Sequence, residues 1–63
     1  MNKYYVVEDD NTTSVFGGSV TVDGEAFIPC VATFLNGMLP DGSRGEENAQ
    51  KRCDELNAAE AQS

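Results

Sequence analysis

Apolar and polar positions along the chain form three short alternating runs followed by one helical repeat. KYYVVE, 3–8, is rich in aromatic and β-branched residues and gives way to DDNTT, a cluster of turn formers, so the pattern predicts a first strand. SVFGGSVTV, 14–22, predicts a second, with Gly17 and Gly18 marking a bulge, a bend or a close approach of another backbone. Asp23-Gly24 then stands between apolar runs. A two-residue type I′ turn needs positive φ at both positions, and Asp-Gly supplies it, so the second strand is expected to turn directly into a third.

That turn sets a register. Val22 faces Glu25, Val20 faces Phe27, Gly18 faces Pro29 and Phe16 faces Val31. Pro29 cannot donate to a ladder, and its place beside the Gly-Gly irregularity predicts a local break or an edge strand. A helix begun at Pro29 and stopped at Asn36-Gly37 is the competing reading of 30–38, against which Phe27, Ile28, Val31, Thr33 and Phe34 favour a strand. Strict alternation then puts Phe16, Val20, Val22, Phe27 and Val31 on one face, expected to be core. Val15, Ser19, Thr21, Ala26, Ile28, Cys30, Ala32 and Phe34 fall on the other, which carries more apolar surface than a water-facing side usually shows.

NGMLPDGSRG, 36–45, reads as a loop in which Met38 and Leu39 are expected to tuck under the fold. Ser43 with Glu46 matches a capping box opening a helix through EENAQKRCDELNAAEA, with Ala49, Cys53, Leu56 and Ala59 as a narrow apolar stripe and Glu60 turned outward. Glu47, Lys51 and Glu55 have the spacing of an exposed, solvated helical face. The tail over 60–63 is expected to fray. The fold class predicted is α+β: a three-stranded antiparallel β-meander with one C-terminal helix packed on one face (βββα), in a single domain spanning 1–63.

Composition changes the picture in two respects. A chain of 63 residues buries only about 60% of its unfolded surface, so its core is marginal without a staple or a partner. Eleven acidic residues against four basic ones give a net charge of −7, which argues against direct contact with nucleic acid or an anionic membrane and favours a basic protein surface. No apolar run is long enough for a signal peptide or a membrane span, and a cytoplasmic location is expected. In that compartment Cys30 and Cys53 are expected to be reduced, buried small hydrophobes.

Candidate chemistry is sparse. Histidine is absent, and two cysteines do not make a zinc site. The carboxylates are scattered without a paired base or nucleophile, so no catalytic residue is assigned and an enzyme is not expected. Glu8, Asp9 and Asp10 lack the spacing of a calcium loop, and Gly17-Gly18 lacks the surroundings of a phosphate loop; no metal or cofactor is expected.

CVATF, 30–34, followed by a loop and AQKRCDELNAAEA, 49–61, resembles the closing strand and helix of small phage and prophage proteins, in which a short alanine-rich helix with a Leu-Asn-Ala ending is common. The resemblance covers about half the chain and carries no catalytic or binding residue. It implies a small acidic phage protein, a class whose members often inhibit host enzymes or defence systems such as CRISPR complexes. Two expectations follow for function. One is a non-enzymatic protein that binds and inhibits a host protein through Ile28, Cys30 and Phe34, with Glu8, Asp9 and Asp10 steering a basic partner. The other is a structural or assembly accessory whose apolar face makes a homodimer. Mimicry of nucleic acid fits less well, because the carboxylates of the strands gather at two poles instead of along a line.

Overall fold

The computed structural model describes residues 3–62, in which six elements follow in order: β1 (Tyr4–Glu8), β2 (Thr12–Gly17), β3 (Val20–Val22), β4 (Glu25–Phe27), β5 (Cys30–Leu35) and α1 (Gly45–Ala61). The fold is α+β. One antiparallel sheet has the order β1-β2-β5, and β3 and β4 form a second, two-stranded sheet. The expected meander is therefore only approximated, since its second and third strands are each broken in two. Gly18, at φ 72°, takes a conformation few side chains tolerate, and Pro29 has no N–H to give. The two breaks lie side by side, and the Gly17 N–H still donates to the Pro29 carbonyl at 3.2 Å across them.

Beyond the breaks, Asp23 and Gly24 have φ of 53° and 84°, as a type I′ turn requires, and Val20↔Phe27 and Val22↔Glu25 pair as the turn predicts. The stretch 30–35 is strand, which removes the helix reading. Its register with β2 follows the expectation from Thr12↔Leu35 to Val15↔Ala32 and departs from it only at Phe16, which pairs with Cys30 instead of Val31 and leaves Val31 as the extra residue of a bulge.

The choice of helix face reverses the assignment of core, and the bulge turns only Cys30 away from Ala32 and Phe34. Val15, Ala49 and Cys53 are buried, with Tyr4, Val6, Ala32, Phe34 and Leu56 packed around them. Val15, Ala32 and Phe34 thus lie beneath α1, whereas Phe16 and Val31 do not. The physical reason is the helix stripe: Gly45, Ala49 and Cys53 let the helix lie close to the sheet over Val15 and Ala32, with Tyr4, Val6, Phe34 and Leu56 filling the rest of the cluster. A Cβ added at Gly45 would overlap the Leu35 carbonyl oxygen.

Smaller expectations are corrected by the same contacts. Ala59 is exposed, and Asn57 stands in its place: its Oδ1 accepts from the Tyr4 N–H at 2.9 Å and its Nδ2 donates to the Tyr4 carbonyl at 3.2 Å. Arg44, not Ser43, is the N-cap, without a side-chain cap; the Ser43 hydroxyl donates to Asp41 and accepts from Asn48. Glu46 reaches back to the Gly37 N–H at 3.2 Å, and Met38 is exposed while Leu39 is half-buried. Glu60 is turned outward as expected, and pairs with Lys3 at 3.1 Å. Of the tail at 60–63, α1 includes Glu60 and Ala61, and residue 63 lies outside the described residues.

Replacing Asn57 by Ala removes both bonds to Tyr4 and strands two part-buried backbone groups, so a loss of about 1–3 kcal/mol is expected in urea denaturation. Asn57→Asp keeps the acceptor alone and should fall between the two.

Candidate functional site

Two apolar surfaces remain once the helix has covered its side of the sheet. The first is the opposite face, where Tyr5, Phe16 and Cys30 form one cross-strand row and Val7, Ser14 and Thr33 the next, with Leu35 beyond them. Tyr5 and Phe16 stack with ring centroids 5.9 Å apart. The pairing register makes this contact, because residues directly opposite in an antiparallel pair share a face. Tyr5, Val7, Val31 and Leu35 are exposed.

The second surface is the β3-β4 hairpin. It touches no other strand or helix among the described residues, and it projects from the sheet as an arm. Val20, Val22 and Phe27 share one of its faces with Glu25, and all three are exposed, as is Ile28 at its base. The chain's radius of gyration, 13.1 Å, exceeds the roughly 11 Å of a compact chain this long, and its extents are 42 × 26 × 16 Å.

Charge is distributed unevenly around these surfaces. No Lys or Arg occurs between residues 4 and 43, whereas Glu8, Asp9, Asp10, Asp23, Glu25 and Asp41 all do. The first three sit at the β1–β2 turn and the next two flank the arm's tip, at opposite ends of the β2–β3 run, as the two-pole expectation has it. Asn36 fixes the first pole: its side-chain Nδ2 donates to the Asp9 carbonyl at 2.8 Å, its backbone N–H to the Asn11 carbonyl at 2.9 Å, and its Oδ1 accepts from buried Thr13 at 2.6 Å. The ion pairs seen among the described residues use Lys3, Arg44 and Arg52, with Glu60, Glu46 and Glu55, so none neutralises either pole.

The six residues expected to bind a partner are thus only partly brought together. Ile28 is exposed at the foot of the arm and Cys30 on the outer face, while Glu8, Asp9 and Asp10 form the turn at the far end. Phe34 does not join them. It packs against the core under α1, because the bulge separates it in facing from Cys30. Tyr5, Val7, Phe16, Leu35 and the arm's Val20, Val22 and Phe27 belong to the exposed surfaces instead, and the small residues of the helix stripe were the signal pointing to that arrangement.

The two cysteines are free and differ in surroundings. Cys30 is exposed, contrary to the expectation of burial, with its Sγ 3.4 Å from the Thr33 hydroxyl. Cys53 is buried as expected; burial, and then the charge of Asp54, push its thiol above the ordinary value, and the Asn57 amide offsets this in part. A thiolate-specific disulfide reagent should therefore titrate one thiol per native chain, Cys30, and reach Cys53 only at the rate of unfolding. Two thiols reacting at equal rates in the native state would contradict this burial.

Around the start of the helix, hydrogen bonds hold the carboxyls of two residues below their ordinary range. Asp41 is held by the Ser43 hydroxyl and backbone N–H, and Glu46 by its own N–H and that of Gly37. Both serve the loop. No cavity, no group of metal-ligating side chains and no helix long and apolar enough to cross a membrane occurs among the described residues.

Comparison of the chain with protein families, curated proteins and solved structures finds no match.

Proposed function

We propose that the chain is a small non-enzymatic binding protein that docks on a host protein in the cytoplasm and inhibits it by covering a functional surface. The observation that carries this reading is the projecting arm. A two-stranded hairpin is marginally stable in water by itself, and this one presents Val20, Val22, Phe27 and Ile28 to solvent without support from any described element. Such an element gains most when a second protein covers it. The accessible surface points the same way: 4603 Å², against roughly 3950 Å² for an ordinary monomer of this mass, an excess of about 650 Å². One partner in a standard interface contributes about 800 Å². The resemblance to phage proteins agrees with an inhibitory role.

The test compares the wild type with the paired substitution Phe27→Ser and Ile28→Asp, both on the arm. Each form is immobilised and exposed to a lysate of the bacterial host, with circular dichroism to verify folding and light scattering to measure mass. A defined protein retained by the wild type and lost by the folded variant is the expected result. Equal retention by both forms would overturn the reading, and a wild-type dimer that the variant abolishes, with nothing else retained, would replace it with the homodimeric accessory.

A further inference from the structure

We infer that the surface bound by this domain is a protein strip with apolar side chains along its middle and Lys or Arg at both ends, and that the arm is the principal contact. This rests on the docking reading above and names the chemistry of the partner. The arm's exposed face places Val20, Val22 and Phe27 in a row ending at Glu25, with Asp23 in the turn. Beyond the foot of the arm, the outer sheet face carries the stacked Phe16 and Tyr5, and β1 then runs to Glu8, followed by Asp9 and Asp10. The strip thus has carboxylates at both ends and no basic side chain between residues 4 and 43.

That pattern selects among occupants. A second copy of this chain would bring the same carboxylates to both ends, with a net charge of −7 on each partner, and like charges set against each other oppose association. Phosphate-bearing partners are disfavoured for the same reason. A protein surface with cationic ends satisfies both poles while its apolar middle covers the arm. Area sets the scale: the chain as a whole exposes about 650 Å² more than an ordinary monomer of its mass, which is close to one side of a standard interface.

The experiment uses the intact, isotope-labelled protein and a synthetic peptide of alternating lysine and valine long enough to reach from the tip of the arm to the β1–β2 turn. Peptides of lysine alone, and of alternating glutamate and valine, serve as controls. The lysine–valine peptide should bind about tenfold or more tighter than either control, with amide shifts confined to 4–10, 14–16 and 20–28, and should weaken several-fold from low to high salt. Asp23→Asn with Glu25→Gln, which keeps a residue suited to the turn at position 23, should remove much of that salt dependence and leave the shift map unchanged. Equal binding of the all-lysine peptide would overturn the apolar part, and equal binding of the glutamate–valine peptide the cationic part. Shifts at the same amides on concentrating the protein alone would make the occupant a second copy; that overturns the cationic strip but keeps the arm as a docking element. No shift at the arm with any peptide overturns the strip, while the docking reading falls only if the lysate comparison also retains wild type and variant equally.

Discussion

Val15→Asp should leave no folded protein at 25 °C, while Val20→Asp should melt cooperatively close to the wild type. Val15 is fully buried in the small cluster with Ala49 and Cys53, and a carboxylate there finds no basic side chain among its packing neighbours. Burying an unpaired polar group costs about 2–7 kcal/mol, and an ionised one more, against a total stability of roughly 3–9 kcal/mol for a domain of this length. Val20, by contrast, is 40% exposed on the arm, where a carboxylate stays hydrated. Near-ultraviolet circular dichroism and urea melts of both variants decide the matter. A folded Val15→Asp variant, or an unfolded Val20→Asp variant, would mean that the helix covers the other face of the sheet.

Gly45→Val is expected to be nearly as damaging. A Cβ at this position would overlap the Leu35 carbonyl, which is backbone and cannot swing aside, so either the helix start or the end of β5 must move. Moving the helix start displaces Ala49 and Cys53, one and two turns on, from the core. A loss above about 3 kcal/mol is expected, the scale of severe packing faults, with Gly45→Ala already causing most of it. Ala58→Val, at an exposed position of the same helix, is the control and should change stability by less than about 1 kcal/mol. A Gly45→Val urea midpoint near that of the control would show that α1 does not seat on the Leu35 backbone.

What was legible in the sequence was mostly local. The Asp23-Gly24 turn, the break at Gly17-Gly18 and Pro29, the helix and its Ala49–Cys53–Leu56 stripe each depend on backbone preferences or on a short periodic pattern, and each is found. The face of the sheet was not legible, because alternation sorts residues onto two faces without saying which one the helix covers, and nothing in CVATF marks Val31 as the extra residue that turns Cys30 away from Ala32 and Phe34. The large side chains Phe16, Phe27 and Val31 drew the expectation of a core toward themselves. The small helix stripe was the better guide, since the helix seats its Gly45, Ala49 and Cys53 over Val15 and Ala32. For the docking surface, Ile28 and the acidic turn were readable from composition and order, whereas the Tyr5–Phe16 stack required the β1–β2 register. The helix cap was misread because the Ser43 hydroxyl is engaged by Asp41, two residues before it.

By taking both the N–H and the carbonyl of Tyr4, the amide of Asn57 acts toward the first strand as a single residue of a neighbouring strand would. A sheet margin with open backbone groups is a template on which other chains can add, and here the start of that margin is occupied from within the same molecule. The domain carries its apolar residues outward on the arm while one flank of its sheet is closed at Tyr4. Loss of Asn57 should therefore raise the tendency to form fibrils as well as lower stability, and thioflavin fluorescence of Asn57→Ala against the wild type would register the two effects separately from a melt.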